Sequence, residues 1–141
     1  MTPIALREVE AAVRDAWAAD TCDPVDVADW SPDNPARGQC GSTALVLHDL
    51  LGGVLLLAEV RNADGSLQGY HYWNRLADDI EVDLTGEQFH TSEAVREPKV
   101  VVRTTALPAR GAEQYLLLRA RVTAALAANT VNEVTTPGIG R

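Results

Sequence analysis

Leu6, Val9, Val13 and Trp17 recur at steps of three and four, with Arg7, Glu10, Arg14 and Asp15 on the other faces. That period predicts an amphipathic helix over about residues 3–19. Thr2-Pro3 supplies its N-cap and a first-turn proline. A second helical pattern, carried by Ala44, Leu45, Leu47 and Leu50, starts at about Ser42 or earlier, and Gly52-Gly53 stops it after Leu51. Val54 to Val60 is an almost unbroken apolar run of strand length, which predicts an inner strand. Asp64-Gly65 marks a hairpin turn, and Gln68 to Leu76 reads as the return strand. Ile80 to Leu84 alternates apolar and acidic residues and reads as a third strand; Lys99 to Arg103, entered after Pro98, is a fourth. Thr85 to Phe89 leaves the sheet through a short helical turn. Ala112 to Ala128 predicts a last helix with Tyr115, Leu118, Val122, Ala125 and Leu126 inward, and a frayed tail follows from about Thr130.

These elements predict one α+β domain over residues 1–129 with a flexible tail at 130–141. The antiparallel meander packs with an N-terminal, a central and a C-terminal helix. Residues 20–39 break the pattern. They hold Pro24, Pro32 and Pro35, five aspartates and Trp30. Prolines at that density exclude a regular element through most of the stretch. A loop of this length is either a functional wall or an ordinary crossover, with Trp30 pinning it to the body.

Composition narrows the picture further. With 46% apolar residues, the chain can bury a core without disulfide staples. A net charge of -8 argues against nucleic acid and anionic membrane surfaces as partners, and the acidic loop disfavours acidic substrates. No basic start joins an apolar run in the manner of a signal peptide, and no apolar run is long enough to span a bilayer, so the expected location is cytoplasmic. The two cysteines, Cys22 and Cys40, lack CxxC spacing and are expected as free thiols, with no structural zinc. No cofactor is expected. His48, His71, His90 and Cys40 are weak metal candidates. Cys40 and His48 are eight residues apart on one helix, about 12 Å along its axis, too far to share an ion.

The chemistry concentrates elsewhere. Cys40 follows the turn-rich stretch Asn34-Pro35-Ala36-Arg37-Gly38-Gln39 and sits where the central helix begins. Unpaired N–H groups and the helix dipole favour a thiolate there. Taken alone, Cys40 reads more readily as a small buried hydrophobe. His71 lies mid-strand in Tyr70-His71-Tyr72-Trp73-Asn74, and Asp83 lies in the next strand. Alone, each is a half-buried or solvent-facing polar residue. Together they match the needs of a nucleophilic thiol: a base to take its proton and an acid to orient that base. Strand alternation sets a condition. An odd-length loop, such as Leu76-Ala77-Asp78 between Arg75 and Asp79, puts His71 opposite Asp83; a two-residue turn sends Asp83 to the other face. Trp30, Trp73 and Asn74 are expected to line the groove beside the thiol.

Asn34-Pro35 through Cys40, Thr43-Ala44-Leu45-Val46, Gly52-Gly53, the run His71-Tyr72-Trp73-Asn74, and Asp83-Leu84-Thr85 with Gln88-Phe89 resemble the YunG-like family of small bacterial proteins, over roughly residues 30–90. The order of a helix cysteine, a strand histidine and an acid on the next strand more distantly resembles papain-like and transglutaminase-like enzymes. That likeness implies Cys40 as nucleophile, His71 as base and Asp83 as orienting acid, acting on an amide or ester of a small-molecule or peptide substrate. Papain-like proteases place a Gln six residues before the nucleophile in the oxyanion hole. Asn34 holds that position here, and Gln39 is a Gln at another spacing; both are weak oxyanion candidates. The other reading is an inactive domain of this type that serves as a binding module.

Overall fold

The computed structural model describes residues 5–135. Helix α1 spans Leu6–Ala16, with Val9, Ala12 and Val13 buried. Its expected start at Thr2-Pro3 lies outside the described residues. It ends one residue before Trp17, whose indole N–H reaches across to the Thr43 hydroxyl at 3.0 Å. The strand-like backbone of Trp17 and Ala18 that permits this contact ends the helix short of residue 19. Residues 20–39 contain short 3₁₀ turns at Ala19–Thr21 and Pro24–Asp29, the second begun by the Asp23 side chain and Pro24. The Trp30 indole N–H donates to the Pro35 carbonyl at 3.0 Å and pins the loop to itself.

Helix α2 is Cys40–Leu51, so Cys40 is its first residue. Strand β1, Val54–Arg61, follows at once. The turn requires Gly53: its φ is +80°, and a Cβ there would lie 2.3 Å from the Arg75 carbonyl oxygen. Strand β2, Leu67–Arg75, returns antiparallel with Leu56 opposite Trp73 and Ala58 opposite His71. Strand β3 is only Glu81–Val82, paired with Arg75 and Asn74. Strands β4, Ala94–Val95, and β5, Lys99–Val101, both pair with the far side of β1. Strand β1 is therefore an inner strand, as its apolar run predicts. Strand β4 has no signal in the sequence; it is two exposed residues held by their partner's backbone.

The third strand is shorter than Ile80–Leu84 because both of its ends are used otherwise. The Leu76 N–H donates to the Ile80 carbonyl at 2.7 Å and closes the loop around Ala77–Asp79. Beyond Val82 the chain turns off to place Asp83 and then forms a 3₁₀ turn at Gly86–Gln88. Helix α3, Ala112–Thr135, runs past the expected end at Ala128. The rest of the expected tail lies outside the described residues. Val9, Val13, Val46, Leu47, Tyr115, Leu118 and Val122 from the three helices meet Val82 and Leu84 in one core. Leu56, Ala58 and Trp73, on the opposite side of the sheet by alternation, form a second, smaller cluster. The fold is α+β with helices packed on an antiparallel sheet, as expected. No helix among the described residues is long and apolar enough to cross a membrane.

Candidate active site

The loop register decides whether the acid can reach the histidine. Asn74 pairs with Val82 and Arg75 with Glu81, two residues further along than a three-residue loop after Arg75 would give. The offset is even, so the faces are preserved. Asp83 follows the last paired residue, Val82, on the face that Trp73 and His71 share, and it reaches back to His71. Its two carboxylate oxygens lie 2.9 and 2.8 Å from His71 Nε2.

His71 is fully buried between two aromatic rings. Trp73 stacks on it at 5.1 Å, and Phe89 meets it edge-on at 4.8 Å. The Trp73 indole N–H is itself held by Glu81 at 2.8 Å. With Nε2 taken by Asp83, the remaining nitrogen, Nδ1, is buried and lacks a conventional hydrogen-bond partner. Cys40 is near enough to this ring to favour its charged form, and its sulfur lies beside the Tyr70 carbonyl, one residue before His71. Burial opposes a charge on His71. The hydrogen bond that the ring donates to Asp83, and then the Cys40 sulfur, outweigh it, and the pKa is pushed up to about 9. The ring is therefore an imidazolium at neutral pH, held by the Asp83 carboxylate.

Cys40 is half-buried, and its sulfur lies 3.9 Å from the Tyr70 carbonyl oxygen. Strand β3 stops at Val82, so the part of β2 that carries Tyr70 and His71 has no strand beyond it on that side. The tip of α2 approaches there. The N–H groups of Cys40, Gly41 and Ser42 belong to the first turn of α2 and have no acceptor within the helix. Cys40, Gly41, Ala44 and Leu45 lie along one side of a groove of about 1190 Å³. Tyr70, Tyr72 and Phe89 line it from the sheet side, Asp23 and Asp26 from the 20–39 loop, and the segment from Val102 to Gly111 closes it opposite. The loop before Cys40 thus forms one wall of the groove, with Asp23 and Asp26 in its lining.

The residues expected to line this groove do other work. Trp30 braces its own loop, Trp73 stacks on His71, and Asn74 is buried with its amide donating to the Ala44 carbonyl at 3.0 Å. None of the three lines the groove. The two amides considered for an oxyanion hole are likewise committed. Asn34 Nδ2 donates to the Gln88 carbonyl at 2.9 Å, and Gln39, fully buried, donates to the Ala18 carbonyl at 3.0 Å. The donors that remain are the backbone N–H groups at the start of α2.

Gln88 has a role that single-residue reasoning missed. Its side-chain oxygen accepts the Gly38 N–H at 3.0 Å, and its amide donates to the Thr85 carbonyl at 3.0 Å. Its own carbonyl accepts from Asn34 and Arg37. One buried glutamine thus ties the loop two residues before Cys40 to the turn two residues after Asp83. Its signal in the sequence was the Asp83-Leu84-Thr85 and Gln88-Phe89 spacing. Gly38 is required beside it: φ is +73°, and a Cβ would lie 2.4 Å from the Cys22 sulfur.

The other candidates are dispersed. His48 Nδ1 accepts from Arg103 at 3.0 Å on the far half of α2, and His90 bonds Asp29 at 3.0 Å. Both cysteines are free thiols. Cys22 is buried, and burial followed by the nearby Asp26 and Asp23 charges pushes its thiol up to about 12.

Comparison with known proteins adds a family. No solved structure matches the chain. "Uncharacterized protein YunG" of Bacillus subtilis (strain 168) is 35% identical over 60 residues, which are 43% of this chain and 46% of that protein. The match thus spans about half the length of that relative. The profile of the family described as YunG protein matches residues 5–127, which includes every residue of the site, and the chain belongs to that family.

Proposed function

We propose that this protein is a thiol-dependent acyl transferase or hydrolase that acts on an amide or ester through Cys40, His71 and Asp83. The observation that carries the reading is the buried imidazole with Asp83 on Nε2 and its Nδ1 left without a partner, while the Cys40 sulfur lies 3.9 Å from the carbonyl oxygen of Tyr70, the residue before it. The order of a helix cysteine with a strand histidine and an acid is that of papain-like and transglutaminase-like enzymes, which supports it.

The steps follow from the groups. The Cys40 thiolate attacks the acyl carbon, and the oxyanion that forms is met by first-turn N–H groups of α2. The carbon–nitrogen or carbon–oxygen bond breaks, and the leaving amine or alcohol takes the proton of the His71 imidazolium. A thioester on Cys40 remains. Neutral His71 then removes a proton from water or from an acceptor amine, which attacks the thioester and releases Cys40. Asp83 holds the ring in one orientation throughout and stabilises its charge. The groove admits a small molecule or a peptide. A free thiol at the centre of the chemistry suits a reducing compartment, and we place the protein in the cytoplasm.

The complete burial of His71 favours a second reading, an inactive domain that binds a partner through the same groove. A burst experiment with p-nitrophenyl acetate separates the two. Acyl transfer predicts rapid nitrophenolate release and an acetyl group on Cys40 by mass spectrometry, both lost in Cys40→Ala. Release no faster than in Cys40→Ala, with unmodified Cys40, leaves the binding module.

A further inference from the structure

Two walls of the groove are joined at its rim. Asp23 belongs to the loop before Cys40, Arg110 to the segment that closes the groove opposite, and both line it. Asp23 Oδ2 accepts two hydrogen bonds from Arg110, at 2.6 Å from Nη2 and 3.1 Å from Nε. The Arg110 side chain is 69% exposed, so the pair lies at the mouth of the groove and not in its floor. A contact between opposite walls turns an open trough into a passage at that point.

The pair stands at the thiol end. The Asp23 N–H donates to the Gly38 carbonyl at 2.8 Å, two residues before Cys40. The Tyr72 phenol, whose pKa burial raises, also feels the Cys40 side chain and the Arg110 guanidinium, with opposite signs. Thiol and guanidinium therefore lie near one ring.

The two ends of the bridge differ in firmness. Asp23 is fixed by Gly38 and by the Val25 N–H, which donates to its Oδ1 at 3.1 Å. Arg110 stands on looser chain. From Thr104 to Ala109 no hydrogen bond ties the chain to another segment among the described residues. Arg103 anchors one end of this stretch, and Arg110 is the tie at the other. An exposed ion pair is weak, and opening concentrates where few hydrogen bonds hold the chain. The bridge therefore yields locally, without cost to the core.

We propose that the Asp23–Arg110 pair is a specificity element that bridges the groove over the thiol, admits narrow acyl donors and holds back bulky ones. A small molecule or a single extended chain end passes beneath it. An acyl group carried on a folded surface must first break the pair. The substrate side of this assignment rests on the reading of Cys40 as the acyl acceptor, so its test reads access to the thiol and not turnover.

N-ethylmaleimide and N-(1-pyrenyl)maleimide carry the same uncharged reactive ring and differ in bulk. The Cys40 sulfur adds to the ring double bond, the neighbouring carbon takes up a proton, and nothing is released. Second-order rate constants, followed by intact-protein mass spectrometry with peptide mapping to separate Cys22, are divided by those for free glutathione. The normalised rates in the wild type are expected to favour the ethyl reagent by about fivefold, the range an exposed ion pair commands. Arg110→Gln and Asp23→Asn remove one charge each and keep the size. Each lowers that preference by about threefold or more, by speeding the pyrenyl reagent alone. Salt at about 0.5 M does the same to the wild type and nothing to the variants. Arg119→Gln, elsewhere in the same groove, leaves the preference unchanged. Equal normalised rates, or a preference that both variants and high salt leave intact, overturn the proposal and leave the acyl chemistry standing. A Cys40 that reacts with neither reagent overturns both.

Discussion

At the scale of single residues, His71 couples the site to pH. Its folded pKa, about 9, lies above the ordinary 6.5, so the native state holds the proton more tightly than the unfolded chain. The stability it contributes is complete below pH 6.5 and is lost as pH rises through 9. The difference is on the order of 3 kcal/mol. Urea unfolding at pH 6, 7.5 and 9 therefore finds the wild type steadily weaker on the alkaline side. The Asp83 hydrogen bond is the largest of the influences that hold the proton on the ring. Asp83→Asn removes most of that slope. An Asp83→Asn profile parallel to wild type between pH 6.5 and 9 refutes the coupling. Cys40 supports little packing, since its sulfur is half open to the groove. Cys40→Ser leaves the melting temperature within about 1 °C, where desolvating a serine hydroxyl at a sealed position lowers it by about 2–6 °C.

At the scale of elements, the site depends on how α2 is entered and how β3 is left. Both are irregular segments, and Gln88 fastens one to the other. Gln88→Ala strands the buried Gly38 N–H and Thr85 carbonyl, at a cost of about 2–4 kcal/mol by chemical denaturation. It also loosens Cys40 relative to His71. Iodoacetamide alkylation of Cys40 at pH 6 is expected to slow in both Gln88→Ala and His71→Ala, because each disturbs the proposed contact between Cys40 and the His71 imidazolium. Gln88→Ala with wild-type stability and wild-type alkylation contradicts this role. Helix and strand positions were legible where apolar spacing is regular: Val9 and Val13 in α1, the run from Leu55 to Val60 in β1, Tyr115, Leu118 and Val122 in α3. The short strands were not. Ala94-Val95 has no pattern of its own, and Ile80 to Leu84 has the pattern of a strand but spends its ends on a loop closure and on Asp83.

At the scale of the whole molecule, the segment after β5 closes the groove and is anchored by two arginines of unequal worth. Arg103 donates to the Leu45 carbonyl, to Asp49 at 2.7 Å and to the Tyr115 hydroxyl at 2.9 Å, and so binds the sheet edge to α2 and α3. Tyr115 is buried and also donates to Asp49 at 2.6 Å. Arg110 makes its ion pair with Asp23 in the open. Arg103→Ala is expected to cost about 2–4 kcal/mol, because it removes the guanidinium partner of the half-buried Asp49 carboxylate and the bonds that tie Leu45 and Tyr115 to the sheet edge. Arg110→Ala costs less than about 1 kcal/mol. Its effect belongs to the groove instead: elastase cuts after the exposed Ala106 faster once this tether to Asp23 is gone. Equal losses of stability in the two variants contradict the assignment of the main anchor to Arg103.

The sequence by itself determined the order and type of the main elements, the position of Cys40 at the mouth of a helix and the face shared by His71 and Asp83. Those features are local: periodicity, glycine stops and strand alternation act over a few residues, and the five-residue loop, odd like the three-residue one expected, keeps the same faces. Only the tertiary structure decided what surrounds them. Trp30, Trp73 and Asn74 carry the polar and aromatic groups suited to a groove, yet each is used in bracing, because a buried N–H or amide must find a partner wherever the fold brings one. Asn34 and Gln39 were drawn away from Cys40 for the same reason, toward the carbonyls of Gln88 and Ala18. The groove came instead from Asp23, Asp26, Tyr72 and the chain after β5, which are far apart in sequence. Which residues share a cavity depends on how distant segments close on one another, and no local pattern records that.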